Sequence, residues 1–178
     1  SNIAFGQGLS VTGLQMARAY AAIANGGDLY GLSLIKKIVN VDGEAVFENA
    51  PQPLRKVLDP DVAQELRNML YNVTQPGGTA RTAHIEGYLA GGKTGTAQKF
   101  DYAARTYTSN QYTASFVGFT PLKNPRFVVI VVFDSPHNGY YGGIVAAPAF
   151  KQIAEKTLEH YGIAPAREAS PVAEQSNS

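Results

Sequence analysis

The sequence predicts an α+β fold, an antiparallel sheet with helices packed on its faces. Two observations carry that expectation. Three segments place apolar residues at helical spacing between start and stop residues, and two β-rich runs, 112–119 and 126–133, are separated only by Thr120 to Pro125. A connection that short can close an antiparallel hairpin but cannot make a parallel crossover.

Taken in order, Thr12-Gly13-Leu14-Gln15 has the T-x-x-Q form of a capping box. Leu14, Ala17, Tyr20, Ala21 and Ala24 follow at helical spacing, and Asn25-Gly26-Gly27 offers a left-handed stop, so a helix is expected over 13–24. In "LSLIKKIVNVDGEAVFE" two strand-like runs flank Asp42-Gly43, a pair that accepts the positive φ of a tight reversal. Asp59 should cap a second helix with Pro60 at its first position and Val62, Leu66, Met69, Leu70 and Val73 on its apolar face; Gln75-Pro76-Gly77-Gly78 ends it. From Leu89 the pattern is strand-like. The run Phe127 to Phe133 is apolar at every position, which predicts an interior strand covered on both faces. Pro148 is expected to start the last helix, with Phe150, Ile153, Ala154, Thr157 and Leu158 inward and Gly162 and Pro165 closing it. The domain is read as 1–163, and the polar, aperiodic stretch 164–178 as a disordered tail.

Composition narrows the functional classes. The chain has 178 residues, 44% hydrophobic and 16% charged, which fits one domain with a core. A formal net charge of +1, without aromatics interleaved among Lys and Arg, argues against nucleic acid as a partner. There is no cysteine, hence no disulfide or thiolate chemistry. His84, His137 and His160 are far apart, so no metal site and no cofactor are expected. The longest apolar run, about eight residues, is short of the roughly 20 that a membrane-spanning helix needs. Beginning at Ser1 in "SNIAFGQGLS", the chain reads as a piece of something longer.

One stretch carries the functional argument: "GYLAGGKTGTAQ", Gly87 to Gln98. Gly87 through Thr94 satisfies the phosphate-loop pattern G-x-x-x-x-G-K-[ST], and "FVVIVVFD" resembles the strand and acid that would hold magnesium. That pattern works only after a buried strand and at the start of a helix, where backbone amides converge on the anion. "TARTAHIEGYLA" before it is not such a strand, and "GTAQKFDYAARTYTSN" after it has no helical stripe. A nucleotide site is therefore rejected.

Read instead as an edge strand, 92–98 places Thr94 and Thr96 on one side and Lys93, Gly95 and Ala97 on the other. Its free amides and carbonyls could pair with an extended peptide. Gly95 lets a substrate backbone approach, the threonine hydroxyls suit a carboxylate, Lys93 adds positive charge, and a strand amide could stabilise an oxyanion. A Gly/Thr-rich surface strand with a solvated lysine is the bland alternative.

The blocks "AFGQGLSVTGLQMARAYAAIANGG", "QPGGTA", "GGKTGTAQ", "SFVGFTP", "PRFVVIVVFDSP" and "YYGGIVAAPAF", in this order, resemble the C-terminal half of the transpeptidase domain of class B penicillin-binding proteins. These are membrane-anchored peptidoglycan D,D-transpeptidases with the fold shared by serine β-lactamases. The likeness covers roughly residues 3–163. It implies a serine in an S-x-x-K motif that is acylated by the D-Ala-D-Ala end of a stem peptide or by a β-lactam, a helper S-x-N motif, and a K-T-G motif at Lys93, Thr94 and Gly95. By the same likeness Lys93 is the electrostatic and proton-relay partner, Thr94 and Thr96 hold the carboxylate, and the Thr96 amide forms half the oxyanion hole. Tyr140 and Tyr141 are candidates for lining the substrate cleft, with a structural turn as the alternative.

The chain is read as holding no S-x-x-K tetrapeptide and no S-x-N motif. The nucleophile, the middle motif, further strands and the membrane anchor are expected before Ser1, and the chain alone is expected to be inactive and poorly stable. The resemblance implies an extracytoplasmic (periplasmic) location and a membrane glycosyltransferase partner for the parent protein. A β-lactam sensor or β-lactamase fragment, or a non-catalytic peptide-binding remnant, are the alternatives. Asp101, Arg105 and Tyr107 are read as a solvated loop able to shape specificity, Gln7 and Gly8 as fixing the chain path, and Asp134 with His137 is declined as a catalytic pair.

Overall fold

A computed structural model describes residues 10–101, 103–137 and 139–165. It contains three helices, α1 (Gly13–Ala24), α2 (Pro60–Asn72) and α3 (Gly142–His160). Its strands are β1 (Asp28–Tyr30), β2 (Lys37–Val39), β3 (Ala45–Glu48), β4 (Pro53–Lys56), β5 (Gly91–Asp101), β6 (Thr106–Thr120) and β7 (Phe127–Asp134). The main sheet is antiparallel throughout, in the order β5-β6-β7, while β1 pairs with β4 and β2 with β3 in separate two-stranded ribbons. The expected α+β class, with helices against both faces of an antiparallel sheet, is what is observed.

The first helix follows its sequence signals closely. Thr12 Oγ1 accepts from the Gln15 amide at 3.2 Å and Gln15 Oε1 accepts from the Thr12 amide at 2.8 Å, completing the capping box. At its other end Gly27, with φ of +109°, turns the chain so tightly that an added Cβ would lie 2.0 Å from the Leu58 carbonyl oxygen. The β2–β3 hairpin closes around Gly43 at φ +83°, and the Asn40 carboxamide oxygen accepts from the amides of Asp42 and Glu44.

Several expectations need correction. In α2 the buried positions are Ala63 and Arg67, while Val62 and Met69 are exposed, and Asp59 caps the helix by backbone geometry without a side-chain hydrogen bond. Arg67 is buried because its Nη1 donates to Ile23 O at 3.1 Å and Ala24 O at 3.2 Å, which satisfies carbonyls at the end of α1. Among the described residues β7 pairs only with β6, at the border of the sheet. The continuous apolar run still has a cause, since α3 packs on one face of β7 and α1 on the other. Phe127, Val129 and Val131 join the α3 cluster and Val128 the cluster of Ala24, Phe119 and Leu122. The last helix starts at Gly142, not Pro148, which lies inside it; Phe150, Ala154 and Leu158 are buried as expected, whereas Ile153 faces out. Of the expected tail, 166–178 lies outside the described residues.

Alternation along the main sheet builds two cores. Thr94, Phe116 and Val131 are cross-strand partners on the α3 face, where the Phe116 and Phe150 ring centroids lie 4.8 Å apart. Gly91, Phe119 and Val128 share the opposite face. Glycines make room for these rings: an added Cβ at Gly91 would sit 2.9 Å from the Phe119 ring and at Gly92 2.5 Å from that of Phe116.

Candidate functional site

Lys93, Thr94, Gly95 and Thr96 lie in β5, an extended strand at the sheet border with β6 on one side only. In an antiparallel ladder that leaves alternate amides and carbonyls along the outer border without a strand partner. The phosphate-loop pattern ends inside this strand and leads to no helix, so an anion nest of that kind is not formed. The expected alternation holds. Thr94 and Thr96 point toward α3, whereas Gly95 faces Ser115 on the other face, where a Cβ would lie 2.4 Å from the serine hydroxyl. Lys93 is exposed, and its ammonium curls over the strand to donate to Thr94 O at 2.9 Å and Thr94 Oγ1 at 3.3 Å.

The N-terminus of α3 is set directly against this strand. The Gly142 amide donates to Thr96 Oγ1 at 3.1 Å. A Cβ at Gly142 would lie 2.2 Å from Ser115 O and 2.6 Å from Gly95 O, so no other residue fits without moving the helix. Gly143 is equally confined, 2.1 Å from Thr79 O by the same measure. The turn 79–83 completes the wall: Thr82 Oγ1 donates to Gly143 O at 2.6 Å and the hydroxyls of Thr79 and Thr94 lie 3.2 Å apart. Hydroxyls and helical amides, with an ammonium beside them, make an environment suited to a carboxylate.

Tyr140 and Tyr141 sit at the far end of the same border. The Tyr140 ring stacks on Tyr112 at 4.3 Å between centroids, Tyr112 pairs with Gln98 of β5, and Tyr141 packs on Tyr140 at 4.4 Å. The Tyr140 hydroxyl donates to that of Tyr141, which holds its pKa above the ordinary phenol value. Both rings are exposed, so they offer an open aromatic shelf.

Other candidates prove structural. β5 and β6 continue as a hairpin to a tight turn, in place of the longer loop expected: Asp101 Oδ1 accepts from the amides of Ala103 and Ala104, and Tyr107 packs edge-on against Phe100 at 5.3 Å. Asp134 is paired with Lys99 at 2.8 Å, and that hydrogen bond and charge hold its pKa below the usual carboxylate range. Gln7 and Gly8 lie outside the described residues. Among the described residues there is no group of acidic, His or Cys side chains able to hold a metal.

The spacing S-x-x-K does occur once, at Ser33-Leu34-Ile35-Lys36, which corrects the assignment of no such tetrapeptide. The geometry is not that of a nucleophile with its base, which needs the two side chains on one helical face. Ser33 and Lys36 are exposed in the non-helical connection between β1 and β2, Ser33 Oγ donates to Ile35 O at 3.0 Å, and neither strand touches β5. Sequence reading missed Thr79 and Thr82, and weighed Gly142 and Gly143 only together with Tyr140 and Tyr141, as a cleft lining or a structural turn. Thr79 lies in the block "QPGGTA" and Thr82 just beyond it, and nothing local distinguishes such residues from turn formers.

An antiparallel sheet with helices on both faces is the architecture of serine acyl transferases of the transpeptidase kind. Residues 1–155 match the family model of the penicillin binding protein transpeptidase domain, and the chain belongs to that family. Within it, the likeness to class B proteins is borne out. The chain is 40% identical over 168 residues to the probable peptidoglycan D,D-transpeptidase PenA of Neisseria gonorrhoeae, covering 94% of this chain and 27% of that protein. It is 38% identical over 164 residues to stage V sporulation protein D of Bacillus subtilis, covering 91% and 25%. Among solved structures, the transpeptidase domain of Burkholderia pseudomallei penicillin-binding protein 3 superposes with a TM-score of 0.77 at 40% identity, over 92% of this chain and 46% of that one. Penicillin-binding protein 3 of Mycobacterium tuberculosis in complex with ampicillin gives 0.82 at 36% identity, over 93% and 38%. The chain thus spans about a quarter of the length of these curated relatives.

Proposed function

We propose that this chain is the C-terminal, substrate-binding portion of a peptidoglycan D,D-transpeptidase, and that the acylated serine belongs to the preceding half of the same domain. One observation carries the reading. The Lys93–Thr96 edge is extended and open, with the α3 N-terminus fixed against its threonines. An incoming stem peptide ending in D-Ala-D-Ala, or a β-lactam in its place, lays its main chain along β5. Its carboxylate meets the hydroxyls of Thr94 and Thr96. Gly95 keeps the strand thin, and the Thr96 amide donates to the oxyanion that forms when the serine attacks. Lys93 supplies the positive charge beside the serine and relays its proton. Tyr140 and Tyr141 line the outer end of the cleft.

The Burkholderia ambifaria protein with a TM-score of 0.70 and 36% identity is described as a peptidoglycan glycosyltransferase. That name links the fold to glycan-strand synthesis, and a membrane glycosyltransferase is proposed as the working partner of the parent protein. The site faces the extracytoplasmic side of the cell membrane. No helix among the described residues is long and apolar enough to cross it.

The test is covalent labelling with a fluorescent penicillin. The isolated chain stays unlabelled. Supplying the preceding half restores labelling, Lys93→Ala abolishes it and Thr94→Val slows it. Labelling of the isolated chain, or restored labelling indifferent to both substitutions, overturns the proposal.

A further inference from the structure

The reaction proposed above assigns work to Thr94 and none to Thr79, yet their hydroxyl oxygens are 3.2 Å apart. Resting on that reading, we propose that Thr79 is a positioning residue that acts through Thr94 and sets the carboxylate selectivity of the site.

The hydrogen inventory gives the reason. The Lys93 ammonium can only donate, and it reaches Thr94 Oγ1 at 3.3 Å, so Thr94 accepts there. Thr94 has one hydroxyl hydrogen and two acceptor positions, and its contact with Thr79 Oγ1 can run in either sense. When a carboxylate arrives, Thr94 gives its hydrogen to the anion and Thr79 donates to the Thr94 oxygen. A hydroxyl that accepts from two donors is a stronger donor in turn, so the anion meets a polarised group.

Thr79 is held firmly enough to do this. Its neighbour Ala80 is 1% exposed and donates its amide to Val73 O at 2.9 Å, and Ala83, which donates to Ala80 O at 2.9 Å, is fully buried. Gly78 packs so close that a Cβ would lie 2.3 Å from Val73 O, and the Thr79 carbonyl abuts Gly143 at the start of α3. The side chain itself is exposed on the open side of this turn, beside the strand border. Its placement on a rigid turn with a solvent-facing hydroxyl is what a reversible partner requires.

The experiment measures acylation rates of the full-length protein with a penicillin and with the methyl ester of the same penicillin, which lacks the carboxylate charge. Thr79→Val should slow acylation by the free acid about tenfold, the size of one hydrogen bond to a charged group, and leave the ester within about twofold. Thr79→Ser should restore the acid rate. In a Thr94→Val background the Thr79→Val change should add nothing, because its effect passes through Thr94. Equal losses for acid and ester, additivity with Thr94→Val, or an unchanged acid rate each overturn the inference. If the unsubstituted full-length protein is not acylated at all, the transpeptidase reading falls and this inference with it; the selectivity data distinguish the two failures.

Discussion

Replacing Gly142 by alanine should damage both the stability of the protein and its site. The new Cβ would stand 2.2 Å from Ser115 O and 2.6 Å from Gly95 O, against ordinary contacts of 3.4 Å or more. Both obstacles are backbone atoms in the paired centre of β5 and β6, which cannot rotate aside. The start of α3 must lift by about 1 Å. That breaks the Gly142 amide bond to Thr96 Oγ1 and strains the Thr82 bond to Gly143 O. Overpacking of this kind costs roughly 1–3 kcal/mol, and a lost hydrogen bond about 1 more. Better helix propensity of alanine returns at most about 1 kcal/mol. A net loss of about 1–3 kcal/mol is expected by chemical denaturation. The effect on acylation should be larger, up to about a hundredfold, because a 1 Å displacement beside the reacting groups degrades their alignment. Measuring both in the full-length protein, with a penicillin as acyl donor, checks the reasoning. A Gly142→Ala protein with unchanged denaturation midpoint and unchanged acylation would refute it.

Three further outcomes follow from other contacts. Arg67→Met should destabilise by about 2–4 kcal/mol, since the guanidinium donates to Ile23 O and Ala24 O, and hydrogen exchange should quicken at the end of α1; even protection along α1 would contradict this. Asp134, its pKa lowered by Lys99, is more acidic folded than unfolded, so its contribution is present above the ordinary carboxylate pKa and lost as the pH falls through the lowered one. Amide protection at the outer ends of β5 and β7 should therefore weaken below about pH 4, and Lys99→Met should remove that dependence. Phe116→Ala should cost about 3–5 kcal/mol, because the ring is fully buried against Phe150 and fills the slot above Gly92, and a thermal melt would show it.

Legibility varied with the range of the physics involved. Helix α1 was readable almost to the residue because its capping box and glycine stop are local chemistry. The edge position of Lys93 to Thr96 was a working reading of the stretch, and period-two alternation on it put Thr94 and Thr96 on one face and Gly95 on the other, as in β5. What escaped depended on distant partners. Arg67 looks like a surface residue until the carbonyls at the end of α1 are brought to it across the helix pair. Pro148 looks like a helix start because proline favours that position, and only the fit of Gly142 against β5 and β6 explains why the helix begins earlier. For β7 the all-apolar run reported the cover that α3 and α1 give its two faces, and such a run says nothing about neighbours along its edges. Ser33 and Lys36 give the converse lesson: a spacing without a helix beneath it is only a spacing.

Aromatic rings press onto bare backbone at Gly91 and Gly92, and Gly118 is squeezed in the same way between Gly91 O and the rings of Phe116 and Phe150. The border that would read a ligand is thereby bolted to the hydrophobic centre through positions that hold no side chain to exchange. Altered ligand preference has little room to arise there without loosening the whole sheet. Tuning is left to the rim, at 79–82 and 140–141, where a changed residue can shift discrimination while the centre stays as it is.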